Sequence, residues 1–204
     1  MGFKKGENPH HPKKGASIRV DPIRDMRHIQ AIKRHLIDTN NMRDHCLFVM
    51  GLNTAWRANE LLALKVKDVD SLGEGDILER KQSKTGKYRK TPLNRAVIRA
   101  IEFWLVIYNP ASRDLPLFPS RQRGSAITVP TFSGMVKQWC RTVGAHGNFG
   151  AHSLRKSFGY HQRVTFETPT LILVEAFGHR SERQTLDYLG IQAKEVSQLF
   201  RNEI

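Results

Sequence analysis

Residues 150–158 read GAHSLRKSF and residues 176–191 read AFGHRSERQTLDYLGI, so a His-x-x-Arg pair is followed by a Gly-His and then, nine positions on, by a tyrosine. Upstream, TAWRANELLALKVKDVD at 54–70 carries another arginine, and QSKTGKYRKTPL at 82–93 carries a lysine in a turn-like stretch. These residue types match the demands of phosphodiester chemistry. The anionic ester must be neutralised, a nucleophile supplied and the departing alkoxide protonated. Arg57 and Arg155 are the candidate clamps, because a guanidinium donates paired hydrogen bonds and stays charged at any working pH. Tyr188 is the candidate nucleophile. A phenol ordinarily titrates near pH ~10, so it needs a base or strongly positive surroundings, and His152, three residues before Arg155, is the candidate base. Lys84 is the candidate general acid for the leaving oxygen. His179, just after Gly178, is a candidate hydrogen-bond donor to the transition state.

Taken singly, each residue has a plain structural reading. Arg57 and Glu60 make an ordinary helix-surface pair, Lys84 sits in a solvated turn, His152 and Arg155 start a helix, and Tyr188 is a core aromatic with a wet hydroxyl. Their joint order in one chain, each on an element suited to its role, carries the functional reading.

The surrounding sequence supplies those elements. Residues 1–20 mix Lys, Gly, Pro and His without periodicity and read as a flexible basic arm. A helix is expected from Asp21, with Asp21 as N-cap, Pro22 in the first turn and Ile23, Met26, Ile29, Ile32 and Leu36 on one stripe. A second helix is expected through CLFVMGLNTA and a third through RANELLALKVKDV, with Leu61, Leu62 and Leu64 inward. DILERKQ and YRKTPL read as the strands of a β-hairpin. Helix returns over NRAVIRAIEFWLVIY, a proline-rich loop runs to about Ser125, and the remainder reads as consecutive short helices. The expected fold is mainly α with a small antiparallel hairpin, an α+β domain over residues 21–204.

Composition narrows the partners. The 204 residues carry 33 Lys and Arg against 19 Asp and Glu, a formal charge of +14, which favours a polyanion and nucleic acid first. Cys46 and Cys140 show no zinc spacing and read as buried thiols. No metal or cofactor is expected. No apolar run reaches the roughly 20 residues of a membrane span, and the basic N-terminus lacks the apolar stretch of a secretory signal. A cytoplasmic, nucleoid-associated protein is the resulting expectation.

From 23 to 191 the chain resembles the tyrosine recombinase family, the phage-type integrases. The resemblance rests on TAWRANELLALKVKDVD, QSKTGK, AHSLRKSF and AFGHRSERQTLDYLGI. It implies a catalytic set of Arg57, Lys84, His152, Arg155, His179 and Tyr188, with Glu60 supporting the first arginine. It also implies double-stranded DNA with specific recombination sites as substrate, a 3′-phosphotyrosyl intermediate, and strand exchange without ATP or metal. A homo-tetramer on two DNA sites and accessory DNA-bending proteins are the implied partners, with residues 191–204 a candidate for exchange between protomers. The separate core-binding domain usual in the family is not found ahead of these motifs, which likens the chain to short members such as the fimbrial-switch invertases, or to a catalytic fragment. The alternatives are a type IB topoisomerase-like relaxing enzyme, whose larger clamp is not found, and a non-catalytic DNA-binding regulator, which a missing catalytic residue would betray.

Overall fold

The computed structural model describes residues 19–81, 88–121, 124–191 and 200–201. The Lys84 turn, most of the N-terminal arm and most of the 191–204 segment lie outside the described residues. In chain order the elements are α1 (Met26–Asp38), α2 (Met42–Asn53), α3 (Ala58–Leu62), a 3-10 turn (Val66–Asp68), β1 (Ile77–Lys81), β2 (Tyr88–Pro92), α4 (Arg95–Tyr108), α5 (Val129–Thr142), α6 (Ala151–Val164), α7 (Thr170–Phe177) and α8 (Glu182–Leu189). The expected mainly α architecture with one antiparallel hairpin is what forms.

The helix α2 is apolar around most of its circumference, and Cys46 through Leu52 are all buried, as expected of a helix enclosed by others. It packs against α1, α4 and α6. Gly51 permits the closest of these approaches, since a Cβ there would stand 2.7 Å from Leu154 Cδ1 on α6. Both cysteines are free and buried in this interior, and burial pushes the Cys140 thiol up to about 12.

The hairpin pairs Ile77 with Pro92 and Lys81 with Tyr88. On β2 the inward positions are Arg89 and Thr91, and the Thr91 hydroxyl accepts a 2.8 Å hydrogen bond from Trp56 Nε1. Strand alternation therefore anchors one face of the hairpin to the segment after α2.

The structure corrects two helix boundaries. Asp21 does not cap α1; its carboxylate accepts the Asn148 N–H at 2.9 Å and its own N–H donates to the Asn148 carbonyl at 2.7 Å. Asp25 is the N-cap, accepting from the Arg27 N–H, and residues before it run extended. Ile23 is held against α6, its N–H donating to Ser157 Oγ at 2.7 Å and its carbonyl meeting His161 Nε2 at 2.9 Å. The expected third helix stops at Leu62, because Lys65 leaves it to form an isolated bridge with Pro116. Leu61, Leu62 and Leu64 are nonetheless buried.

A smaller core joins the C-terminal helices to α6 around Ala55, Leu173, Phe177, Leu189 and Ile191. Gly159 on α6 lets them close, because a Cβ there would lie 2.7 Å from both Leu189 Cδ2 and Phe177 Cζ. Gly159→Ala is expected to destabilise the domain by about 1–3 kcal/mol through overpacking, measured by urea unfolding. A variant as stable as the parent would contradict the close approach.

Candidate phosphoryl-transfer site

Two helix ends build the floor of the site. The α2 helix ends at Asn53, and Ala55 adopts a left-handed φ of 54°, which turns the chain so that Arg57 becomes the N-cap residue of α3. The α7 helix ends at Phe177, and Gly178, with φ 63°, supplies the left-handed C-cap. Gly178 N–H bonds to the Glu175 carbonyl and His179 N–H to the Val174 carbonyl, both at 3.0 Å, so the turn delivers His179 directly after the helix. The carbonyls of Ala55 and Phe177, left over at these helix ends, face guanidinium groups. Arg155 donates through Nη1 to Ala55 O and through Nη2 to Phe177 O at 3.0 Å. Unpaired carbonyls and the negative end of the helix dipole both favour a cation there.

Glu60 organises the other arginines. It is buried, at 7 % exposure; its Oε2 accepts the Arg57 N–H at 2.8 Å and its Oε1 accepts Arg57 Nη1 at 3.0 Å. Glu60 thus makes a capping contact and an ion pair with Arg57 at once. Arg89 Nη1 lies 3.8 Å from Glu60 Oε2.

Tyr188 sits on α8 against this group. Its ring lies 5.2 Å from the His179 ring and 5.6 Å from that of Phe177, and Lys156 Nζ lies 5.0 Å above it. The Tyr188 hydroxyl is buried and makes no hydrogen bond of ordinary geometry among the described residues. Burial raises its pKa, while the charge and proximity of Arg155, then the charge of Arg57, act in the opposite sense. His179 Nδ1 is 3.0 Å from Thr185 Oγ1. Burial, with the Arg155, Arg57 and Arg89 charges, holds the His179 imidazole down at about 4. Arg155 is itself lowered to about 10, chiefly by burial, and remains charged at neutral pH.

Arg57, Glu60, Arg155, His179 and Tyr188 are therefore gathered in one place. His152 keeps an exposed edge and shares with Lys156, Gln184 and Tyr188 the lining of a cleft of about 350 Å³; the partial desolvation of its ring there, then the charges of Arg155, Arg57 and Lys156, lower its pKa. Lys84 lies outside the described residues. Among the described residues no group of His, Cys, Asp or Glu is arranged to hold a metal ion, and no helix is long and apolar enough to cross a membrane.

The sequence and the fold match those of known proteins. The family model for phage integrases matches residues 24–195. The chain belongs to the phage integrase family. It is 31% identical over 176 residues to the probable integrase/recombinase YoeC of Bacillus subtilis, covering 84% of this chain and 90% of that protein. It is 25% identical to the tyrosine recombinase XerC of Proteus mirabilis, spanning 94% of this chain but 59% of XerC. Among solved structures, XerA recombinase aligns with a TM-score of 0.70 at 18% identity, over 90% of this chain and 67% of XerA. The XerH recombinase bound to a palindromic difH substrate aligns with a TM-score of 0.69 at 24% identity, over 95% of this chain and 57% of XerH. The fold is that of a tyrosine recombinase catalytic domain.

Sequence reasoning passed over Arg89, which is as buried as the core around it, at 8 % exposure. The signal was the strand phase: Leu93 is apolar, so Thr91 and Arg89 share its inward side.

The depressed His179 value has a consequence for stability. A histidine whose folded-state pKa lies below the ordinary value near ~6.5 favours the neutral form. Its contribution is complete above that pH and is lost as the pH falls toward 4. In urea unfolding between pH 7 and 4, His179→Gln is expected to show a shallower loss of stability than the parent. Identical pH slopes would contradict the assignment.

Proposed function

We propose that the chain is a site-specific DNA recombinase in which Tyr188 attacks the scissile phosphate, giving a 3′-phosphotyrosyl link and a free 5′-hydroxyl. The observation that carries this reading is a buried phenol oxygen that makes no hydrogen bond of ordinary geometry among the described residues and lies close to Arg155, in the field of Arg155 and Arg57. Burial makes a phenol so placed resist ionisation. A phosphodiester held by the two arginines supplies an acceptor on which the developing negative charge is shared. Arg57, steadied by Glu60, and Arg155 clamp the non-bridging oxygens.

His152 takes the phenol proton across the cleft it shares with Tyr188. Lys84, in the segment joining β1 to β2, protonates the departing 5′-oxygen. His179 donates to the phosphate through Nε2; as an imidazolium it also donates from Nδ1 to the Thr185 hydroxyl, whose own proton goes to the Ser181 carbonyl. Burial, then the arginine charges, lowers the affinity of His179 for a proton; a bound phosphate anion offsets those charges and so raises it. The phosphotyrosyl link conserves the energy of the broken bond, so rejoining needs neither ATP nor metal.

Double-stranded DNA carrying specific recombination sites is the substrate in this reading, which the XerH recombinase bound to its palindromic difH substrate supports. Four protomers on two sites, exchange of residues 191–204 between protomers and accessory DNA-bending proteins belong to the same reading, as does a place with the nucleoid in the cytoplasm. The formal charge of +14 suits this substrate.

Covalent capture tests the proposal. The protein is incubated with sheared genomic DNA from its source in chelator, denatured in detergent, and the DNA ends linked to it are sequenced beside a Tyr188→Phe control. Adducts that vanish in the control and cluster at a few sequences are expected. Scattered adducts would instead indicate a relaxing topoisomerase, and binding without adduct a DNA-binding regulator.

A further inference from the structure

Arg89 lies outside the set of residues that the family resemblance carries over, yet it makes the same contacts as Arg155. Its Nη1 donates to the Ala55 carbonyl at 2.7 Å and its Nη2 reaches the Phe177 carbonyl at 3.4 Å. Arg155 donates to these same two oxygens. A carbonyl oxygen has two lone pairs and can serve two donors, so the two guanidinium groups bridge one gap in parallel. Ala55 stands two residues before Arg57, and Phe177 two residues before His179, so bridging the two carbonyls restrains the backbone that carries those side chains. Arg89 also reaches Glu60, at 3.8 Å, and it stands on β2, which follows Lys84 in sequence.

The duplication has a purpose once a phosphate arrives. Arg155 has five N–H donors, two of them engaged with the carbonyls; a shift of its planar fork toward phosphate oxygens weakens those two contacts. If Arg155 were alone, such a shift would leave buried carbonyls poorly paired, which is costly. We propose that Arg89 is a positioning residue of the strand-transfer site: it holds the Ala55 and Phe177 carbonyls together while Arg155 turns to the phosphate, keeping Arg57 and His179 in register and tying β2 to them. The proposal rests on the phosphotyrosyl reading of the site given above. Arg89 is buried in the floor and touches no reacting atom in this account.

The test compares the parent protein with Arg89→Lys and Arg89→Met on a nicked suicide duplex of the captured sequence, on which the covalent adduct accumulates. Single-turnover adduct formation at saturating DNA, the DNA dissociation constant and the pH dependence of the adduct rate are measured. Both variants are expected to bind DNA within about threefold of the parent and to form adduct about 10–100-fold more slowly, the scale of a small misplacement of reacting groups. Lysine keeps the charge and loses the fork, so it does not restore the rate. Arg89→Met alone is expected to move upward the limb of the rate profile on which His179 loses its proton, since the Arg89 charge is one of those that depress His179. A purely structural role would not produce that split between the variants. Where Arg89→Met fails to fold, Arg89→Lys carries the test through its rate and affinity. Adduct rates within twofold of the parent overturn the proposal, as does full activity in Arg89→Lys, or a loss confined to DNA affinity. Absence of any Tyr188-dependent adduct in the parent would instead overturn the phosphotyrosyl reading itself.

Discussion

Three guanidinium groups, Arg57, Arg89 and Arg155, converge on a single buried carboxylate, Glu60, and on two carbonyls at the ends of helices. Burying charge costs several kcal/mol per ion unless partners repay it, and one carboxylate does not balance three cations. The helix-end carbonyls repay part of the cost through hydrogen bonds and dipole. The remaining excess of positive charge is what an anion would satisfy, and it acts with burial on the neighbouring groups. Burial first and the arginine charges second keep His179 neutral and lower His152, while for Tyr188 the two act in opposite directions.

The rest of the domain is arranged around that requirement. The α6 helix brings His152, Arg155 and Lys156 to the site from one turn of helix, and its glycine at 159 lets α7 and α8 close over it so that Tyr188 and His179 reach the same place. The left-handed Ala55 and Gly178 end α2 and α7 where their carbonyls can meet the arginines. The hairpin is docked by alternate residues, Arg89 through its carbonyl contacts and Thr91 through Trp56. Positions remote in sequence are thus linked through short hydrogen bonds to backbone atoms, which fix geometry more tightly than surface ion pairs do.

Much of this was legible in the chain. Periodicity placed α4, α5 and α6, alternation placed the hairpin, and the spacing of Arg57 to Glu60 and of His152 to Arg155 put each pair on one face of its helix. What was not legible depended on distant partners. Asp21 followed by Pro22 has the local chemistry of a helix start, but Asn148 claims the Asp21 carboxylate and the cap falls to Asp25. The leucine-rich run after Arg57 has helical period, but Lys65 is drawn into a bridge with Pro116. Arg89 looked like one more basic residue in a basic strand, and only its burial among carbonyls from two helix ends distinguishes it from Lys90 beside it.

The central claim is that one phenol oxygen in this cationic pocket becomes covalently joined to phosphorus, with the break on the 5′ side. It is tested most directly by trapping the adduct on a nicked duplex, digesting both components and identifying the modified peptide and the attached nucleotide by mass spectrometry. The account predicts a peptide modified at Tyr188 through a 3′-phosphate, with a free 5′-hydroxyl on the released strand. A nucleotide joined through its 5′-phosphate, or a link to any other residue, would contradict it.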